Sequence, residues 1–143
     1  MALSKIVYTA HATVIGGRDG VARSDDGNLD VKLQPPKEMG GSGKGTNPEQ
    51  LFAAGYAACF IGALKHVAGL RRLKFSSETT IKASVFFGPR AEGAKGFGID
   101  VALEVHIPDL DLSEAEALVH EAHQICPYSN ATRGNIDVAL SVV

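Results

Sequence analysis

Cysteine is scarce in this sequence, with only Cys59 and Cys126 among 143 residues, and there is no tryptophan. Charge of one sign is lacking as well: 14 Lys and Arg stand against 16 Asp and Glu, a formal net charge of −2. That balance offers no electrostatic footprint for nucleic acid or an anionic membrane surface. Uninterrupted apolar runs of about 18 residues are missing too, so no membrane span is expected. At the N-terminus, Lys5, Thr9 and His11 break up what would be the apolar region of a signal peptide. The expected compartment is therefore a reducing cytoplasm, where cysteines that bond usually do so transiently and in catalysis. What is present, 45% hydrophobic and 21% charged residues, is the composition of an ordinary globular protein, here one domain over 1–143.

Local patterning predicts an α+β arrangement. Ile6, Tyr8, Ala10, Ala12 and Val14 alternate with Thr9, His11 and Thr13, the period of a strand over 5–14. The cluster Gly16-Gly17-Arg18-Asp19-Gly20 turns the chain into a second strand from Val21, and Asp26-Gly27-Asn28 into a third at 29–33. Pro35-Pro36 ends that strand, and the glycines of 40–45 read as a flexible loop. Asn47 as N-cap, Pro48 at the first helical position and Gln50 closing a capping box announce a helix to Leu70. That helix is apolar nearly all round and is expected to be buried, in the domain or in a dimer. Segments 75–87 and 97–107 read as longer strands. Ser113 with Glu116 predicts the capping box of a helix to Gln124, which Pro127 stops, and 136–142 alternate as a closing strand.

Several motifs invite a chemical reading. Cys59 lies in the first helix among alanines, where an unpaired cysteine is commonly a small buried hydrophobe. Cys126 sits at the end of the second helix, where the chain turns and accessibility is expected. Two cysteines on two helices fit an attacking and a resolving thiol, although spacing alone leaves this open. A thiol attacks as thiolate, ordinarily titrates near about 8.5, and is pushed higher by burial. A reactive Cys59 would therefore need a cation. Arg18 could supply it and Glu49 could hold the guanidinium. The competing readings are a solvated turn residue for Arg18 and, for Glu49, a first-turn carboxylate favoured by the helix dipole. A phosphate loop fits poorly, since Glu38 stands where its first glycine belongs and Gly45 where its hydroxyl belongs. His120, Glu121 and His123 miss the spacing of a metal helix motif, and surface ion pairing explains them better. Asn130-Ala131-Thr132 is a glycosylation pattern without meaning in a cytosolic chain.

Three segments together, GGRDG at 16–20, GTNPEQLFAAGYAACF at 45–60 and CPYSNATRGN at 126–135, are similar to the organic hydroperoxide resistance proteins, the Ohr branch of the Ohr/OsmC family. The resemblance implies an OsmC-like fold, with antiparallel sheets wrapped around a buried central helix in an intertwined cytoplasmic homodimer. It implies reduction of organic hydroperoxides to alcohols without metal or flavin, Cys59 being peroxidatic and Cys126 resolving through a Cys59–Cys126 disulfide. Arg18 and Glu49 would activate Cys59, and dihydrolipoyl groups of lipoylated proteins would reopen the disulfide. Leu51, Phe52, Phe60 and Phe97 would form an apolar setting for bulky alkyl peroxides. Glu49 and Cys59 stand about 15 Å apart along one helix axis, at 1.5 Å per residue. The Glu49 serving a given Cys59 is therefore expected from the partner subunit. Rival readings are a peroxidase of the OsmC branch, a redox sensor signalling through the same disulfide, and a structural dimer with inert cysteines.

Overall fold

A computed structural model describes residues 2–143, which divide into two compact units, one running up to Pro48 and the other Glu49–Val143.

The first unit is an antiparallel meander, β1 (Ala12–Ile15), β2 (Gly20–Ser24) and β3 (Asp30–Leu33), in that spatial order. Its turns are closed by local hydrogen bonds. At the second, the Asp26 carboxylate accepts from the Ser24 hydroxyl and from the Asn28 backbone and side chain. These bonds, the Ser24 one foremost, hold its carboxyl below the usual value. The first strand is shorter than the expected 5–14: residues 5–11 lie outside the ladder, with Ile6, Val7 and Tyr8 exposed. A period of two marks a face to be covered, but a strand also needs a neighbour for its N–H and C=O groups. The glycine-rich loop is not slack either. Gly41 N donates to Pro36 O and Gly43 N to Pro35 O, each at 3.0 Å, and Thr46 pairs with Leu33 in a parallel bridge.

The second unit contains α1 (Pro48–Leu70) from its second residue on, β4 (Thr80–Pro89), β5 (Phe97–His106), α2 (Leu112–Ile125), α3 (Pro127–Thr132) and β6 (Val138–Val142). Its sheet has the order β4-β5-β6 and is mixed rather than antiparallel throughout, because β5 and β6 run parallel. The connection between them passes through α2 and α3, and such a crossover returns the chain in its original direction. The core joins Tyr56, Phe60 and Leu64 of α1 to Val101, Leu103 and Val105 of β5 and to Leu118 of α2.

Helix α1 is buried on one face only: Tyr56, Phe60, Ala63, Leu64, Val67 and Ala68 are inside, while Ala54, Ala58, Gly62 and Lys65 are exposed. By length and hydropathy it could also cross a membrane, contrary to the expectation from sequence; its inner face is packed in the core instead. Helix α2 starts earlier than the Ser113 capping box implies. Asp111 is the N-cap, accepting from Glu114 N at 2.8 Å, since a carboxylate caps as well as a hydroxyl and stands two residues nearer the preceding turn. Pro127 does end α2, and it also opens α3, where its missing N–H and fixed φ suit a first helical position.

Candidate active site

The geometry of the site follows from the corner between α2 and α3. Cys126 is at once the C-cap of α2 and the residue before α3, with φ −62° and ψ 124°. Its N–H donates to Ala122 O and its carbonyl accepts from Asn130 N, each at 2.9 Å, so both helices hold it. The corner turns its side chain inward, where it is fully buried. Cys126 Sγ lies 3.5 Å from Cys59 Sγ, and both thiols are free. The expected exposures are thus reversed. Cys126, expected to be accessible at a turn, is covered, and Cys59, expected inside an apolar helix, is partly open because it lies between the exposed Ala58 and the buried Phe60.

Burial pushes the Cys59 thiol up from its ordinary value, a hydrogen bond from the Tyr128 backbone pulls it down, and the Cys126 thiol raises it again. The net shift is upward, so beside Cys126 and under this burial the neutral thiol is favoured.

Phe52, Tyr56 and Cys59 share a face of α1, at spacings of four and three residues. The Tyr128 ring joins them from α3, with centroids 5.9 Å from Phe52 and 5.6 Å from Tyr56. Gly55 is what admits it, because a Cβ there would sit 2.8 Å from the Tyr128 hydroxyl. A cavity of about 300 Å³ is lined by Phe52, Ile99, Tyr128, Thr132 and Ile136 among others. A larger hollow of about 840 Å³, lined by Phe86, Phe87, Arg90 and Phe97 among others, shares Ile99, Asn135 and Ile136 with it. Cys59 lines neither.

The residues named from sequence thus fall in different places. Cys59 and Cys126 meet. Phe52 lines the smaller cavity; Phe97 lines the larger, stacked on Phe87 at 5.2 Å. Phe60 is fully buried in the core, its ring centroid 6.4 Å from that of His123, and Leu51 is half-buried. Glu49 stands in the first turn of α1, and Arg18 in the β1–β2 turn of the first unit.

The metal-like trio is dispersed, with Glu121 paired to Arg71 and His123 bonded to Ser129. Burial, then Arg133 and His120, lowers the pKa of His123. One feature beyond the motifs is a largely buried chain of polar groups linking His123, Ser129, Tyr56 and Thr132. The signal was there: a tyrosine in a helix meant for burial must find a partner for its hydroxyl.

Residues 41–141 match the family model of the OsmC-like proteins. The chain is 58% identical over 139 residues to an organic hydroperoxide resistance protein of Xanthomonas axonopodis pv. citri, covering 96% of each. It is 48% identical over 136 residues to the organic hydroperoxide resistance protein OhrB of Bacillus subtilis, covering 95% of this chain and 98% of that one. Among solved structures, an organic hydroperoxide resistance protein of Legionella pneumophila superposes with a TM-score of 0.90 at 50% identity, covering 96% of this chain and 98% of the other. One from Vibrio cholerae, with captopril bound in one of its active sites, also reaches 0.90 at 50% identity, covering 97% and 94%.

Proposed function

This chain belongs to the OsmC-like family, in the branch of the organic hydroperoxide resistance proteins, and from that premise we propose that it is a thiol peroxidase for organic hydroperoxides. The observation that carries the proposal is the 3.5 Å contact between a partly exposed Cys59 and a buried Cys126. A peroxidatic thiol must meet its substrate, whereas a resolving thiol need only meet the oxidised sulfur.

The Cys59 thiolate attacks the distal oxygen of ROOH. The O–O bond breaks, the alkoxide leaves and is protonated to ROH, and Cys59 becomes a sulfenic acid. The Cys126 thiol then displaces water from that sulfur and forms the disulfide. A dithiol, the dihydrolipoyl group of a lipoylated protein, returns both thiols by two exchanges. Burial favours the neutral Cys59 thiol, so the thiolate needs a cation. That is the role proposed for Arg18, oriented by Glu49 of the partner subunit, with the guanidinium also stabilising charge on the departing oxygen. The apolar walls around Phe52 and Tyr128 suit alkyl peroxides better than hydrogen peroxide. The exposed small-residue face of α1, open above Gly62, supports assembly as a homodimer.

The test is consumption of an alkyl hydroperoxide by the reduced protein with excess dihydrolipoamide, beside Cys59→Ser and Cys126→Ser. The expected result is many turnovers, abolished by the Cys59 change. A single stoichiometric oxidation would make the protein a sensor instead, and no reaction would return Cys59 to core filling.

A further inference from the structure

Between the helices that carry the two cysteines, four side chains make a continuous series of short polar contacts. His123 Nδ1 lies 2.9 Å from Ser129 Oγ, which lies 2.9 Å from Tyr56 OH. Tyr56 OH lies 3.1 Å from Thr132 Oγ1, which donates to the Ser129 carbonyl at 3.2 Å. Tyr56 and Ser129 are fully buried and Thr132 nearly so. Counting hydrogens sets the direction. The Thr132 proton is spent on the carbonyl, so Tyr56 donates to Thr132, Ser129 to Tyr56, and His123 Nδ1–H to Ser129. Each contact then holds one proton. With the proton of a neutral His123 on Nε2, Ser129 would donate to His123, Tyr56 to Ser129, and the Tyr56–Thr132 contact would hold none.

The series spans the three elements that place the thiols. Tyr56 is on α1, three residues before Cys59; His123 is in the last turn of α2, three before Cys126; Ser129 and Thr132 are on α3, just after it. Arg133 braces the same corner, donating to the His123 carbonyl and, at 2.8 Å, to Asn130 Oδ1. We infer that the His123–Ser129–Tyr56–Thr132 series is a positioning device for the resolving thiol, governing the closing of the Cys59–Cys126 disulfide and not the attack on peroxide. The inference rests on the thiol-peroxidase reading. The affected step is the one in which the Cys126 thiol forms the S–S bond and water leaves Cys59. None of the four residues takes or gives an electron in it; they hold the α2–α3 corner against α1 while it occurs.

Two substitutions remove single oxygens and leave the packing close to native, Ser129→Ala and Tyr56→Phe. The reduced native protein and both variants are mixed with tert-butyl hydroperoxide. Peroxide loss in the first turnover is followed against disulfide formation, with dimedone trapping the sulfenic acid. The expected result is a peroxide step within twofold of native and closing at least fivefold slower in Ser129→Ala. Cys59 sulfinic acid should then accumulate at peroxide excesses that leave the native protein as disulfide. Tyr56→Phe should shift both readouts in the same direction, and it carries the test should Ser129→Ala fail to fold. Closing within fivefold of native, or slowing of both steps by one common factor, would overturn the inference, since a merely structural role lowers both together. A second arm uses no peroxide: the mixed disulfide of Cys59 with glutathione is closed by Cys126 in each protein, with the same slowing expected. Failure of the native protein to consume peroxide would sink the parent reading, while the second arm still judges the positioning role.

Discussion

The two units of the chain are held together by different means. The second has a continuous core in which Tyr56, Phe60, Leu64, Leu103, Val105 and Leu118 are essentially inaccessible. The first has Ala22 and Leu33 as its buried apolar residues among those described, and depends on turns, ladder bonds and local side-chain caps. The two-thiol pair lies entirely in the well-packed unit, while the proposed activating cation, Arg18, lies on a turn of the unit held mainly by hydrogen bonds. On the proposed mechanism, thiol pairing rests on packing and thiol activation on charge, so substitutions should separate the two.

The largest separation is expected within the packed unit. Cys59→Ser should remove peroxide turnover by more than about a thousandfold while the protein stays folded, because an oxygen nucleophile of far higher pKa replaces the sulfur. Steady-state peroxide consumption beside a thermal melt checks both halves. Next, Leu64→Ala should cost about 2–5 kcal/mol in denaturant unfolding, and Val14→Ala on the exposed face of β1 only about 0.5 kcal/mol or less. Equal costs would mean that the contrast between the units is not real. Arg18→Ala should slow the first-turnover peroxide reaction by about a hundredfold at neutral pH, with stability little changed. Since burial holds the Cys59 thiol above its ordinary value, that variant should recover as pH rises and the thiolate forms. A pH profile that stays flat would remove Arg18 from its proposed role.

The smallest effect concerns His123. Its folded pKa is lowered, mainly by burial, so the unfolded chain binds the proton more readily. The resulting contribution to stability is present above the unfolded value of about 6.5 and is lost as pH falls toward the folded value. His123→Gln should flatten that part of the stability curve below the unfolded value, measured by urea unfolding.

Much of this was legible in the residues. Asn47-Pro48 marked the start of α1 because proline fits a first helical turn and little else nearby, and β5 begins at Phe97 where alternation begins. The strand over 5–11 misled because alternation reports a face and not a ladder partner. Pro127 signals a helix stop but not the start of α3, and without α3 the sequence offers no scaffold for the inward turn of Cys126, its contact with Cys59 or the hydroxyl series through Ser129 and Thr132. The reversed exposure of the two cysteines has the same origin. Accessibility at a helix end depends on where the next element goes, and a period of 3.6 says nothing about that.

The most direct measurement is peptide mapping of the reduced protein after one equivalent of an alkyl hydroperoxide, without any reductant. The expected result is recovery of the peptides bearing Cys59 and Cys126 joined to each other within one chain, with one alcohol formed per disulfide. Recovery of Cys59 as a sulfenic acid adduct beside a free Cys126 thiol, or of both thiols untouched, would contradict it.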